Sequence, residues 1–137
     1  MIPIHSAIDG MQKKFTEMQV RLSDHGFTLG GNWDYNGGSF DHALDEKNKV
    51  WLRLPFQVTD GNIDSELSEN NAQIRFNEPY VLRHLYNEGS DPEASVRVLG
   101  ALFDQFQAPV DPDAAIDAGW VDRAKAVMRE VERDIAY

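Results

Sequence analysis

Two stretches of this chain carry residue types that could do chemistry. In Asp60-Gly61-Asn62-Ile63-Asp64-Ser65-Glu66, oxygen-bearing side chains occupy alternate positions of a glycine-containing segment. A hard cation such as calcium requires that donor set. The pattern starts like an EF-hand loop, but Ser65 stands where the sixth position needs Gly, and Asn71 where the twelfth needs Glu. No helix is predicted on either side, so Asp60, Asn62, Asp64 and Glu66 read as a polar turn whose side chains cap the backbone. Cation binding is the lesser alternative, and no metal site is assigned.

The second stretch is Gly30-Gly31-Asn32-Trp33-Asp34-Tyr35-Asn36-Gly37-Gly38-Ser39-Phe40-Asp41, followed by His42 and Asp45, with His84 on a neighbouring predicted strand. Carboxylates beside a histidine are the groups of general acid–base catalysis or of a metal centre. Asp41 and His42 are consecutive in a predicted strand, however, and therefore point to opposite faces. His42 shares parity with Phe40 and Leu44, which reads as a hydrogen-bonded, partly buried histidine. There is no nucleophile elbow, phosphate loop or HExxH pattern, and the paired glycines do not open a helix as a dinucleotide fingerprint would. No catalytic residue and no cofactor follow. Trp33, Tyr35, Phe40 and Trp51 at strand spacing read as core and cross-strand packing before a stacking platform for a sugar or base.

The elements that position these residues follow from periodicity. Ile8, Met11, Phe15, Met18 and Leu22 recur at helical spacing, which predicts a helix over residues 6–25, capped by Ser6 and ended at Gly26. The period then changes to two. Phe27 to Tyr35 and Phe40 to Leu44 read as strands joined by a type I′ turn at Asn36-Gly37, a turn that needs positive φ at both central residues. Val50, Leu52, Leu54 and Phe56 alternate with Trp51 and Arg53, which gives a third strand. Residues 59–66 read as loop, 72–76 and 80–86 as strands, and 92–104 as a strand in competition with a helix opened by Asp91-Pro92. A prolyl connection over 105–117 leads to a final helix over 118–136 with Trp120, Ala124, Val127, Met128, Val131 and Ile135 on one stripe. The expected fold is α+β: an antiparallel β-meander of five to six strands, with an N-terminal and a C-terminal α-helix packed on one face.

Composition narrows the function classes. The 137 residues are most simply one domain, residues 1–137. There is no cysteine, which excludes disulfides, cysteine–zinc sites and thiol nucleophiles. No apolar run approaches a membrane span, and no secretory signal opens the chain, so a cytoplasmic location without membrane attachment is expected. The formal net charge of −10 is concentrated in residues 56–119, which hold three Arg, no Lys and twelve Asp or Glu. Such a field repels phosphate backbones and argues against nucleic-acid binding.

The hairpin stretch quoted above, the segment Trp51-Leu52-Arg53-Leu54-Pro55-Phe56 with Asp60-Gly61 behind it, and the run Asp104-Gln105-Phe106-Gln107-Ala108-Pro109-Val110-Asp111-Pro112-Asp113-Ala114 together resemble the YugN-like family of small proteins from Bacillus-type bacteria. The resemblance covers nearly the whole chain in the same order. It implies a bacterial cytoplasmic protein of one domain, and carries over no activity and no site residue.

Two function hypotheses remain. If Val50, Leu52, Leu54, Phe56, Ile74, Phe76 and Leu82 face the helices, the opposite parity holds Trp51, Arg53, Arg75, Val81, Arg83, Leu85, Arg97, Leu99 and Phe103. Arginines among apolar residues suit a protein interface. Trp51, Arg53, Arg75, Arg83, Leu85 and Arg97 are therefore the expected docking residues of a non-enzymatic interaction protein, a homodimer or the docking site of another protein. The alternative is a small-ligand or enzymatic pocket between the glycine-rich hairpin and the 105–113 connection, lined by Trp33, Asp34, Asp41, Gln105 and Gln107.

Overall fold

The alternation from Val50 to Phe56 is that of a strand with one buried face, and it forms the axis of the sheet. The structure, a computed structural model, describes residues 1–47, 49–61, 63, 71–83 and 116–136. The axial strand is β5 (Val50–Asp60), and it runs antiparallel to β4 (Gly37–Ala43), from Gly37 opposite Gln57 to Ala43 opposite Trp51. Asp45 closes the turn between them: its Oδ1 accepts the amides of Lys49 and Val50 at 2.8 and 3.0 Å. Beyond β4 lies β3 (Thr28–Leu29), so the expected meander holds for β3, β4 and β5.

On the other edge of β5 the chain departs from a meander. Both β6 (Gln73–Phe76) and β7 (Tyr80–Arg83) pair antiparallel with β5, β6 along its C-terminal half and β7 along its N-terminal half. They amount to one strand interrupted at Asn77-Glu78-Pro79. β2 (Gln12–Lys14) pairs with β6 and β1 (Ile2–Pro3) with β7. The described strands thus form one open antiparallel sheet.

The interruption changes which side chains share a face. Phe56 lies opposite Phe76, but Arg53 lies opposite Tyr80, one residue out of step. Pro55 and Pro79 have no N–H for the ladder, and the Asn77 amide reaches the Pro55 carbonyl at 2.9 Å across the gap. Alternation in β7 is therefore the reverse of the expected one. Val81 opposes Leu52 on the helix side and is fully buried, and Arg83 opposes Val50. Tyr80 and Leu82 stand on the other side, with Arg53 and Trp51.

The N-terminal helix is shorter than expected, α1 spanning Phe15–Ser23. Residues 7–10 form turns instead. Gly10 takes φ +87° and donates to the Phe76 carbonyl at 2.7 Å, and the Phe76 amide returns to Met11 at 2.9 Å. Pairing with β6 then claims Gln12–Lys14, and the turns still bury Ile8 at the spacing a helix would have used. Ser6 caps no helix; its Oγ accepts the Ile8 amide and donates to Glu132 Oε2 at 3.3 Å, while the Ala7 amide donates to the same oxygen at 2.9 Å. α1 ends at Gly26 as expected. With φ +84° there, the Gly26 and Phe27 amides bond back to Ser23 and Leu22, a Schellman closure.

The C-terminal helix, α2 (Ala118–Ile135), follows its stripe, burying Ala124, Met128, Val131 and Ile135. Those residues and Phe15, Met18 and Leu22 of α1 join one core with Phe40, Leu52, Leu54, Phe56, Ile74, Phe76 and Val81, which puts both helices on the same face. Asp134 ties the helix ends together through Arg21 at 2.7 Å and His25 at 3.0 Å. Its carboxyl is held below the ordinary carboxylate value, first by the His25 hydrogen bond and then by Arg21. No helix of the described residues is long and apolar enough to cross a membrane.

Candidate functional site

The register of β4 on β5 places Asp41 directly opposite Arg53, and β7 places Tyr80 on the far side of Arg53. All three lie on the sheet face away from the helices. Arg53 Nε donates to Asp41 Oδ1 at 3.0 Å and Nη2 to Oδ2 at 3.2 Å, the two-pronged geometry that a guanidinium and a carboxylate favour. Ser39, two residues before Asp41 on the same face, donates its hydroxyl to Oδ1 at 2.9 Å. Asp41 is only 9% exposed. Burial works against the Arg53 cation, but hydrogen bonding to Asp41 and Tyr80 outweighs it, so the guanidinium is held above the ordinary arginine value.

Around this row lies a cleft of about 170 Å³, walled by Gly30, Gly31 and Asn32 on one side and by Ser39, Asp41, Arg53, Pro55 and Tyr80 on the sheet. The glycine-rich segment is laid straight onto the ion pair. A Cβ on Gly30 would stand 2.9 Å from Asp41 Oδ2 and 3.0 Å from Ser39 Oγ, whereas one on Gly31 would meet nothing. The arrangement presents hydrogen-bonding groups to the cleft. The Asp41 carboxylate that accepts the Ser39 hydroxyl is paired with a guanidinium, which weakens it as a base.

The other residues singled out from the sequence have different duties. Asp34 Oδ1 accepts the amides of Asn36 and Gly37 at 2.7 and 3.1 Å, and the Asp34 amide donates to the Gly37 carbonyl at 2.8 Å. The turn therefore spans Asp34 to Gly37, and Gly37 is already in β4 without positive φ, in place of the expected type I′ turn. Glycine is required at Gly37 because a Cβ would strike the Phe56 carbonyl oxygen. Trp33 packs on the core, and Tyr35, expected inside, is 74% exposed. Trp51 is half-buried on the cleft face and Arg75 is exposed there, opposite Gln57. Thr59 and Asp60, expected in a loop, close β5, and Asp60 Oδ1 accepts the Gly61 amide at 3.0 Å. Asn62, Asp64, Glu66, His84, Leu85, Arg97, Gln105 and Gln107 lie outside the described residues, as does the segment 92–104. Among the described residues no three His, Cys, Asp or Glu cluster as a metal site would need.

In the sequence, Asp41 and Arg53 fall under separate hypotheses, and Ser39 and Tyr80 are not among the candidate site residues. A usable signal was present for the first pair: a turn closed by Asp45 sets Leu44 against Val50, and from there Asp41 must face Arg53. For Tyr80 there was none, because the slip at Pro55 and Pro79 is a property of the assembled sheet.

The YugN-like family matches residues 3–135. The chain belongs to this family. It is 32% identical over 133 residues to the uncharacterized protein YugN of Bacillus subtilis (strain 168), covering 96% of each chain. The crystal structure of the uncharacterized conserved protein YugN from Geobacillus kaustophilus HTA426 has the same fold, with a TM-score of 0.69 and 16% identity over 99% of this chain and 96% of that one. Neither relative has a stated activity, so the YugN-like assignment settles ancestry and fold and leaves function to the site.

His42 belongs to the opposite, helix-side face of this YugN-like sheet. Its Nδ1 lies 3.1 Å from the His25 carbonyl, and its ring packs 5.2 Å from that of Phe27. Burial first, with the positive charge of Arg123 adding to it, lowers its pKa from the ordinary 6.5. The folded state therefore favours neutral imidazole, and the unfolded chain takes up the proton more readily. The stability contributed is present above pH 6.5 and is lost as pH falls through the lowered value. Urea unfolding at a series of pH values should show this decline, and His42→Phe should flatten it; an unchanged profile would assign the titration to another group.

Proposed function

We propose that this protein is a non-enzymatic binding protein of the cytoplasm, acting as one domain, whose ligand site is the cleft at Asp41, Arg53 and Tyr80. The observation that carries this reading is the half-buried Arg53–Asp41 pair lining a cleft under a glycine-rich segment that leaves it space. A lone ion pair at a surface contributes roughly 0–1 kcal/mol, which by itself is a weak reason to hold a carboxylate at 9% exposure. A ligand that shares the pair's hydrogen bonds supplies a stronger one. The cleft is small against ordinary pockets of roughly 300–1,000 Å³, so the ligand it suits is a small polar molecule or the polar end of a larger one.

A second reading rests on Trp51 and Arg75, which share that sheet face, one half-buried and the other exposed. In it the face docks a second copy of the chain, with arginine and tryptophan as anchors. Native mass spectrometry of the purified protein separates the two readings. The cleft reading expects a monomer carrying a small-molecule adduct that Arg53→Met lacks; self-association expects a dimer mass that Arg75→Glu reduces. An adduct-free wild-type protein, with cleft amide resonances of Gly30, Gly31 and Ser39 unmoved by a small-metabolite extract, would reject the cleft.

A further inference from the structure

A second concavity lies on the other side of the molecule, between the β4–β5 turn and the first two turns of α2. It is an open groove of about 540 Å³, walled by Leu44 to Lys47 on one bank and by Trp120 and Arg123 on the other. That volume lies within the ordinary range for small-molecule sites, roughly 300–1,000 Å³. Trp120 is half-buried and packed on the core, so its indole is a fixed wall. Arg123, three residues on, falls on the same side of the helix and is exposed.

The groove brings two basic side chains together. On a protein of net charge −10, basic side chains have acidic partners in abundance, and Arg21, Arg53 and Arg133 each form an ion pair. Among the described residues, Arg123 and Lys47 form none, as is also true of Lys13, Lys14, Arg75, Lys125 and Arg129, but these two alone line one groove. Of the two carboxylates beside them, Asp45 is committed to the Lys49 and Val50 amides. Glu46 is exposed on the turn. Two cations on opposite banks of an indole-walled groove offer a flat apolar surface and a divided grip for one anionic group.

We infer that the Trp120–Arg123–Lys47 groove is a binding site for a planar heteroaromatic monophosphate of mononucleotide size. The ring lies against the Trp120 indole, and base–aromatic stacking of this kind contributes about 1–3 kcal/mol per base. The phosphate presents oxygens to both Arg123 and Lys47, which are its charge-assisted donors. Glu46 and the chain's overall negative field restrict the site to a single small anion and oppose a phosphodiester chain. The site is separate from the open-face cleft and does not depend on its occupancy.

Isothermal titration with adenosine 5′-monophosphate, adenosine and inorganic phosphate as probes tests this. The monophosphate is expected to bind at least about tenfold more tightly than either fragment, with quenching of tryptophan emission that Trp120→Phe diminishes. Arg123→Gln and Lys47→Gln, both at exposed positions, should each weaken it about tenfold while leaving the thermal melt unchanged. Equal binding of phosphate and the monophosphate would overturn the role of the ring. Binding that survives both substitutions, or no heat at millimolar monophosphate, would overturn the site.

Discussion

Phe40→Ala is expected to destabilise the protein by about 4 kcal/mol, the loss typical of a buried phenylalanine truncated in a core that cannot close around the void. Phe40 is 1% exposed, and its ring centroid lies 5.2 Å from Phe56, 5.8 Å from Phe15 and 6.5 Å from Phe76. Those partners come from β5, α1 and β6, so the ring holds together elements remote in sequence. None can rotate into the vacancy without abandoning its own contacts, because close-packed interiors relax only partly. Against a typical total of about 5–15 kcal/mol, the variant should unfold at a much lower urea midpoint with an unchanged slope. A loss under about 1.5 kcal/mol would mean that the four phenylalanines are not the keystone of the core.

Arg53→Met is expected to cost about 2 kcal/mol. Breaking a fully buried ion pair costs roughly 3–5 kcal/mol, because one charge is left without compensation. Here the Arg53 side chain is 25% exposed and that of Asp41 11%, so water relieves part of the penalty. Met preserves most of the length and apolar stem of Arg53, which isolates the lost guanidinium from lost packing. Asp41 then keeps only the Ser39 hydroxyl among the partners shown for its side chain. The double variant Arg53→Met/Asp41→Leu should recover most of the loss, since no buried charge remains. A denaturant double-mutant cycle reads the coupling; additive losses would show that the two groups are held by their strands and not by each other.

These two positions also show how far the sequence alone reaches. Phe40 is recognisable as core from its parity with Leu44. β5 is recognisable from the run Val50, Leu52, Leu54 and Phe56, each buried as the alternation requires. α2 is equally clear, since Ala124, Met128, Val131 and Ile135 recur at a helical period with charged residues between them. Gly26 marks the end of α1, where only glycine takes the required positive φ at no cost. In each case the signal is local: a period, or one residue with one backbone preference.

Other features were decided only by the folded chain. Ile8, Met11 and Phe15 recur at helical spacing, yet Gln12–Lys14 is a strand, because the backbone groups of β6 needed partners and sheet pairing outweighed a weak helical preference. Asp34, placed by composition in a pocket, is spent on its own turn. The face of β7 turned on a one-residue slip between β5 and the broken strand beside it, which carried Arg83 to the helix side and Tyr80 to the cleft. The sequence by itself determined the α+β class, the family, the core parity of β4, β5 and β6, and the whole of α2, because periodicity and glycine conformation act over a few residues. The tertiary structure alone brought Tyr80 to the Asp41–Arg53 pair, because the register of β7 on β5 is set by hydrogen bonds between segments remote in sequence, which no local period records.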